Sequence, residues 1–327
     1  MSAVPTLDFG PISCIELQNE EAWSEATRLD DTKKVLQDFD SAMRKFGFVQ
    51  ITDHGVSNTS LASLRESADA FFQKEDSEKM KLMSEHYGAP GGGFTPIGRE
   101  SVGRTSDVSD NNDADPVENF VFANRGQEPN GTSMPGDFSR TAQEYWAETE
   151  SLCLRLMRTS ALALGLRFDF FDSFYAEPSC SLRLANYPPP QPSDAGKIRY
   201  GAHTDYTGFT ILSQSQDGLE VLVADDTWVP VPPCARGGLV VNAGDLLPIW
   251  TAGRWKSAIH RVVFPKDCSS VTNAQSSTSR LSCVFFTGPH DDTLVTPVHT
   301  CCDGNEHAYS AVRAGDHLKS KLAASNV

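Results

Sequence analysis

Apolar residues recur at helical spacing in three stretches of this chain. Between Asp31 and Phe46, the positions Val35, Leu36, Phe39, Ala42, Met43 and Phe46 fall at intervals of one, three and four, which gathers them on one helical face. Gly47 follows where a C-terminal cap belongs, and Phe48-Val-Gln-Ile51 then alternates as a strand does. Asn58 to Met83 predicts a second helix with Leu61, Leu64, Ala68, Phe71 and Phe72 as its stripe. Phe138 to Leu164 predicts a long third one, carrying Tyr145, Leu152 and Leu156 and closed by Gly165. Between the last two, Gly88 to Pro116 is rich in Gly, Ser, Asp and Asn and predicts a loop.

From Ser181 onward the texture changes to short β-prone runs separated by Pro, Gly and Asp. They are Ser181–Ala185, Phe209–Leu212, Leu219–Val223, Leu239–Val241, Arg261–Phe264 and Arg280–Phe286, with Ser269 to Ser279 as a polar insert. Many short strands at close intervals predict a barrel or jelly roll. The expected architecture is mainly β with flanking helices: an N-terminal helical or mixed region, residues 1–180, packs on a β core that ends in a C-terminal helix, residues 181–327, as one structural unit.

Charge narrows the partners. Lys and Arg total 28 against 43 Asp and Glu, a formal net charge of −15, which disfavours nucleic-acid backbones and anionic membrane surfaces. A small-molecule substrate and a monomer are expected. Met1 to Asp8 has neither a basic nor an apolar leader segment, and no apolar run approaches membrane-spanning length, so a cytoplasmic location is expected. Eight cysteines lie scattered without the paired spacing of a zinc site and read as reduced thiols.

The chemistry concentrates in the β half. His203-Thr-Asp205, followed by His260, supplies two imidazoles and a carboxylate in the order His-x-Asp…His. That is the facial triad of non-haem Fe(II) oxygenases, which leaves metal positions open for a cosubstrate and O2. Side chains at i and i+2 of a strand share a face, so His203 and Asp205 can reach one ion from a single extended segment. Asp245, in Asn242-Ala-Gly-Asp245, is a weaker candidate, because Gly-Asp after an apolar run is usually a turn. The remaining histidines receive no role.

Arg280 and Ser282 also share a strand face, and a guanidinium beside a hydroxyl can clamp the distal carboxylate of 2-oxoglutarate. The apolar residues around Arg280 argue for burial, and a buried arginine requires an anionic partner. Tyr187 can add a phenol donor to the same carboxylate and Asn186 can face the iron-bound end; alternatively Tyr-Pro simply ends a strand. Phe94, Ile97, Arg99 and Arg104 in the loop, with Phe120, Phe122 and Phe286, are candidates to line a substrate pocket. Arg99 or Arg104 would suit an acidic or amino-acid-derived metabolite, or else is a solvated loop residue balancing Asp107, Asp110 and Asp113.

These residues resemble the 2-oxoglutarate and Fe(II)-dependent dioxygenases of the isopenicillin N synthase-like family. Val4–Asp8 is similar to the family's opening strand, Phe46-Gly-Phe-Val-Gln-Ile-Thr-Asp-His-Gly-Val56 to its GFF-x-(V/I)-x-NHGV segment, and Gly93–Gly98 to its substrate loop. Leu162–Leu166 resembles the end of its long helix, Asn186-Tyr-Pro-Pro189 the strand before the metal, and Asn242–Asp245 through Lys256–Val262 the distal ligand region. Asp53 stands where the family usually has Asn, and Thr251-Ala-Gly253 where it often has Thr-Asn-Gly.

The resemblance implies a double-stranded β-helix, a distorted jelly roll. It also implies Fe(II) held by His203, Asp205 and His260, with the cosubstrate carboxylate on Arg280 and Ser282. The reaction expected is oxidation of an unactivated C–H bond with release of succinate and CO2. Ring-closing relatives keep an Arg-x-Ser pair yet use O2 and Fe(II) without 2-oxoglutarate, so that activity is an alternative. A non-catalytic jelly-roll metabolite binder and a hydrolase or isomerase using another divalent metal are the others.

Overall fold

Period-two alternation along the strands organises the structure, a computed structural model that describes residues 3–83, 92–105, 114–123, 137–266, 278–302 and 309–325. The strands are β1 (Thr6–Asp8), β2 (Phe48–Thr52), β3 (Gly93–Thr95), β4 (Glu118–Phe122), β5 (Ser181–Tyr187), β6 (Ile198–His203), β7 (Phe209–Gln214), β8 (Leu219–Val223), β9 (Thr227–Pro230), β10 (Leu239–Ala243), β11 (His260–Val263), β12 (Arg280–Phe286), β13 (Leu294–Val295) and β14 (Val312–Arg313). An eight-stranded sheet runs in the order β1-β2-β10-β7-β12-β5-β4-β3 and a four-stranded sheet in the order β6-β11-β8-β9. Apart from the parallel β1–β2 pair, neighbours in both are antiparallel. The two sheets form a double-stranded β-helix, the distorted jelly roll expected. The N-terminal part of the chain supplies four strands of the large sheet, β1 to β4, as well as helices.

The helices are α1 (Gly10–Ser13), α2 (Glu20–Glu25), α3 (Asp30–Lys45), α4 (Asn58–Phe72), α5 (Asp76–Lys79), α6 (Asp137–Ala163), α7 (Leu246–Trp250) and α8 (Ala314–Ser325). On α3, Val35, Leu36, Phe39, Ala42 and Met43 are buried, with Asp30 and Asp31 in the first turn and Arg44 and Lys45 in the last, as the helix dipole favours. Gly47 then takes φ +65°, where an added Cβ would lie 2.3 Å from the Lys256 carbonyl oxygen, so only glycine fits.

The single helix expected over Asn58 to Met83 is instead broken. Ser57 caps α4 by accepting from the Thr59 and Ser60 amides, and the helix ends at Phe72. Gln73-Lys74-Glu75 continues no apolar stripe, Glu75 leaves the helical region, and α5 restarts at Asp76. The break returns Lys79 to the sheet, where its Nζ meets Glu118 at 2.8 Å. Two departures from the family pattern, Asp53 at φ +51° and Ala252 at φ +47°, both occupy left-handed backbone, which tolerates Asn best among residues with a side chain.

The main core lies between one face of the large sheet and helices α3, α4 and α6. Leu182 and Leu184 of β5, Ile211 of β7 and Cys283 and Phe285 of β12 belong to the same apolar cluster as Phe39, Leu64 and Leu156. Each of these strand residues has a neighbour in sequence pointing the other way, into the space between the two sheets. That opposite face carries the site. The Ser269–Ser279 insert lies mostly, and the Asp107–Asp113 run entirely, outside the described residues.

Candidate active site

β6 and β11 pair so that His203 and His260 stand directly opposite one another, with ring centroids 4.2 Å apart. β6 ends at His203, so Asp205 lies just beyond the strand and not within it as expected. Its Oδ1 nevertheless approaches both histidines, at 3.8 Å from His203 Nε2 and 3.7 Å from His260 Nε2. The three donor atoms fall within 4.8 Å of one another and all three residues are buried.

The surroundings orient each donor. His203 Nδ1 lies 2.9 Å from the Gly201 carbonyl oxygen and His260 Nδ1 3.0 Å from that of Ala258. Donation of Nδ1–H to those carbonyls leaves the Nε2 lone pairs facing Asp205. Burial and the adjacent His260 hold the His203 pKa well below the usual range, which keeps the imidazole neutral as a metal ligand must be. Thr210 Oγ1 and Asn242 Nδ2 both donate to Asp205 Oδ2, each at 2.5 Å, which leaves Oδ1 for an ion. Asp245 takes no part in this cluster. It binds Ser257 Oγ at 2.8 Å and Lys321 Nζ at 2.9 Å, which seats α8.

Arg280 is completely buried. Its Nη1 donates to Ser282 Oγ at 2.7 Å, its Nη2 to Gln214 Oε1 at 2.6 Å, and its Nε to the carbonyls of Gln216 and Asp217 at 3.2 and 3.1 Å. All of these partners are neutral, and among the described residues no carboxylate bonds to it. Its guanidinium carbon sits 5.1 Å from the centre of the Tyr187 ring. Arg280, Ser282 and Tyr187 line the same cavity as His203, Asp205 and His260, a space of about 230 Å³ between the sheets.

Strand parity corrects several expectations. Asn186 lies between Ala185 and Tyr187, both of which line the cavity, and so faces the opposite side, donating to Glu118 Oε1 at 2.8 Å. On β4, Val121 faces the cavity with Ala123 just beyond, whereas Phe120 and Phe122 point into the core. Phe94, cross-strand from Phe120, joins them there, packed on Phe71. Ile97 is 53% exposed, Arg99 and Arg104 are exposed, and none of the three lines the cavity. The two arginines that would have favoured an acidic substrate therefore stand away from it. Of the pocket candidates, Phe286 alone reaches the cavity.

Sequence reading overlooked Arg183, Glu100, Tyr200 and the α8 residues Leu318 and Leu322, all of which line the cavity. The parity that places Tyr187 there also places Arg183, four residues earlier on β5. Nothing local marked Glu100, and the C-terminal helix expected after the β core carried no sign that it would reach the cavity.

Two family models match the chain: the 2OG-Fe(II) oxygenase superfamily over residues 179–289, and "non-haem dioxygenase in morphine synthesis N-terminal" over 4–133. A homoarginine-6-hydroxylase of Oryza sativa subsp. japonica, 2-ODD-233, is 29% identical over 98% of this chain and 96% of its own length. The 2-oxoglutarate-dependent dioxygenase thnC of Trichoderma harzianum is 32% identical over 72% of this chain and 75% of its own. Among solved structures, a full-length Neurospora crassa protein in complex with alpha-KG superposes with a TM-score of 0.81 at 23% identity, covering 98% of this chain and 96% of that one; this likeness is one of fold.

Proposed function

This chain belongs to the 2OG-Fe(II) oxygenase superfamily, and from that premise we propose that it oxidises an unactivated C–H bond of a small metabolite, by hydroxylation, desaturation or oxidative cyclisation. It is a non-haem dioxygenase using Fe(II), 2-oxoglutarate and O2. The donor set fits ferrous iron: two neutral imidazoles and one carboxylate, with the second oxygen of that carboxylate already engaged. His203 Nε2, His260 Nε2 and Asp205 Oδ1 would hold the metal. When bound, iron with 2-oxoglutarate supplies the oxidant, as O2 converts the keto acid to succinate and CO2.

The chain's own residues position and exclude. Gly201 and Ala258 fix the two imidazole tautomers, and Thr210 and Asn242 fix the carboxylate. Arg280, held rigid by Ser282 and Gln214, would take the distal carboxylate of 2-oxoglutarate, with Tyr187 beside it. Val284, Phe286, Leu318 and Leu322 supply apolar wall that keeps water from the reacting carbon.

The single observation carrying this reading is a fully buried guanidinium, bonded only to neutral groups, on the same cavity as the three metal donors. Such a charge is compensated when a carboxylate ligand arrives. Anaerobic addition of Fe(II) and then 2-oxoglutarate should produce a weak visible charge-transfer band, and O2 should then yield succinate in step with substrate oxidation. Absence of the band would favour a binder or a hydrolase. Substrate-dependent O2 uptake indifferent to 2-oxoglutarate would assign the chain to the ring-closing oxidases.

A further inference from the structure

A second buried guanidinium faces the cavity, and this one brings its own counter-charge. Arg183 Nη2 meets Glu100 Oε2 at 2.6 Å and Nη1 meets Oε1 at 3.4 Å, with the two side chains only 13% and 8% exposed. Asn119 Nδ2 donates to Glu100 Oε1 at 3.1 Å and fixes the carboxylate from behind. The Arg183 guanidinium lies 5.2 Å from the centre of the Tyr200 ring, which stands edge-on to the His203 ring at 5.0 Å. The ion pair is therefore one aromatic ring removed from a metal ligand, within reach of a molecule that presents a C–H bond to the metal. Among the described residues, Arg183 and Arg280 are the only Lys or Arg side chains lining the cavity.

Resting on the oxygenase reading above, we infer that the substrate is uncharged where it meets β5: a neutral, largely apolar molecule with hydrogen-bonding groups for the Arg183–Glu100 edge, carboxylates being excluded by Glu100. An acid entering here meets a buried like charge and finds the one nearby cation already matched, so its desolvation goes uncompensated. Around the pair the wall is apolar: Val102, Val121, Val284 and Phe286, with Leu318 and Leu322 of α8.

Glu100→Gln tests this, because it keeps the shape and a carbonyl acceptor for Arg183 while deleting the negative charge. Calorimetric titrations would compare benzoate, phenylacetate and indole-3-acetate with their primary amides, on wild type and variant, each iron-free and loaded with Fe(II) and saturating 2-oxoglutarate. The variant should bind the acids roughly 10-fold or more tighter than wild type does, with the amides shifted by no more than about 3-fold. The Arg280 site is common to both proteins and cancels in the comparison. Glu100→Gln combined with Arg183→Met should lose the gain, which assigns it to Arg183 and not to a loosened fold; matching melting temperatures check the fold directly. Equal acid affinity in wild type and Glu100→Gln, or a gain that survives loss of Arg183, would overturn the inference. The visible band separates the two claims: a band without the acid gain sinks this inference alone, and the acid gain without a band sinks the oxygenase reading alone.

Discussion

Two arginines are buried on one cavity from neighbouring strands, and the protein treats them in opposite ways. In the β5–β12 ladder, Arg183 stands opposite Val284 and Arg280 opposite Tyr187, so the two guanidinium groups rise from the same face of the same sheet. Burial pulls both pKa values down; at Arg183 the Glu100 carboxylate more than reverses this, whereas at Arg280 the value stays lowered. A charge removed from water must be compensated by something. At Arg183 the fold provides the anion. At Arg280 it provides hydroxyl, amide and carbonyl oxygens and no bonded carboxylate among the described residues, with Asp217 offsetting the burial only in part. The difference teaches that burial of an arginine does not by itself mark an anion site; what the fold sets against its charge has to be read beside it.

The sharpest way to break this comparison is to remove one of the three donors that would hold the metal on the same cavity. His203→Ala should lose iron and with it turnover, by on the order of 1,000-fold or more, because the metal carries the oxidising chemistry. Bound iron and succinate yield measure this, with circular dichroism checking the fold; an iron-replete variant would undo the ligand assignment. Arg280→Met comes next. Truncating one partner of a buried charge pair costs about 2–5 kcal/mol, so 2-oxoglutarate should bind some 30-fold to several thousand-fold more weakly while iron is retained. Arg280→Lys should fall between, since a point charge cannot reproduce the fork. Unchanged cosubstrate affinity would mean that the unmatched arginine serves something else.

The metal-binding side of this architecture was legible because its signals are local or periodic. His203-x-Asp205 is a two-residue spacing, and the shared face of Arg280 and Ser282 follows from strand parity alone. Applied throughout, that parity would also have turned Asn186, Phe120 and Phe122 away from the cavity, since each lies next to a residue that faces it. Other features were illegible for a physical reason. The Arg183–Glu100 pair joins residues 83 apart, Lys79–Glu118 residues 39 apart, and the Asp245–His317 contact seats α8 from 72 residues away. No local pattern encodes a partner that only the fold brings near.

Stability separates the two arginines in the other direction. Arg183→Met leaves Glu100 buried with its ionic partner gone, and breaking a buried pair from one side costs about 3–5 kcal/mol. Arg280→Met strands only neutral acceptors, which line a cavity where water can satisfy them, and it also removes a charge that no bonded carboxylate compensates. Urea unfolding of the iron-free proteins should therefore show Arg183→Met as the more damaging, with Glu100→Gln restoring much of the loss in the double variant. Equal costs for the two single variants would mean that Glu100 gains little from Arg183 in the folded state.

The smallest effect concerns how far the Arg183 charge is shared. Asp115 lies close to the pair and accepts from the Val102 and Gly201 amides, each at 2.9 Å, tying the segment at Val102 to β6. Burial pushes its pKa up to about 6; those two hydrogen bonds oppose the rise, Glu100 adds to it, and Arg183 offsets it only in part. An aspartate whose folded pKa exceeds its unfolded value stabilises the protein fully below about pH 4, and that contribution disappears as the pH climbs through about 6. A shift of this size corresponds to on the order of 2–3 kcal/mol. Unfolding free energies measured across this window should fall with rising pH in the wild type and lose that slope in Asp115→Asn, which cannot ionise. With Arg183→Met the decline should extend to higher pH, because the cation opposing the Asp115 shift is gone. Comparison of Arg183→Met with Arg183→Met/Asp115→Asn isolates the Asp115 part from that of Glu100, and an unmoved Asp115 part would mean that the guanidinium is spent wholly on Glu100.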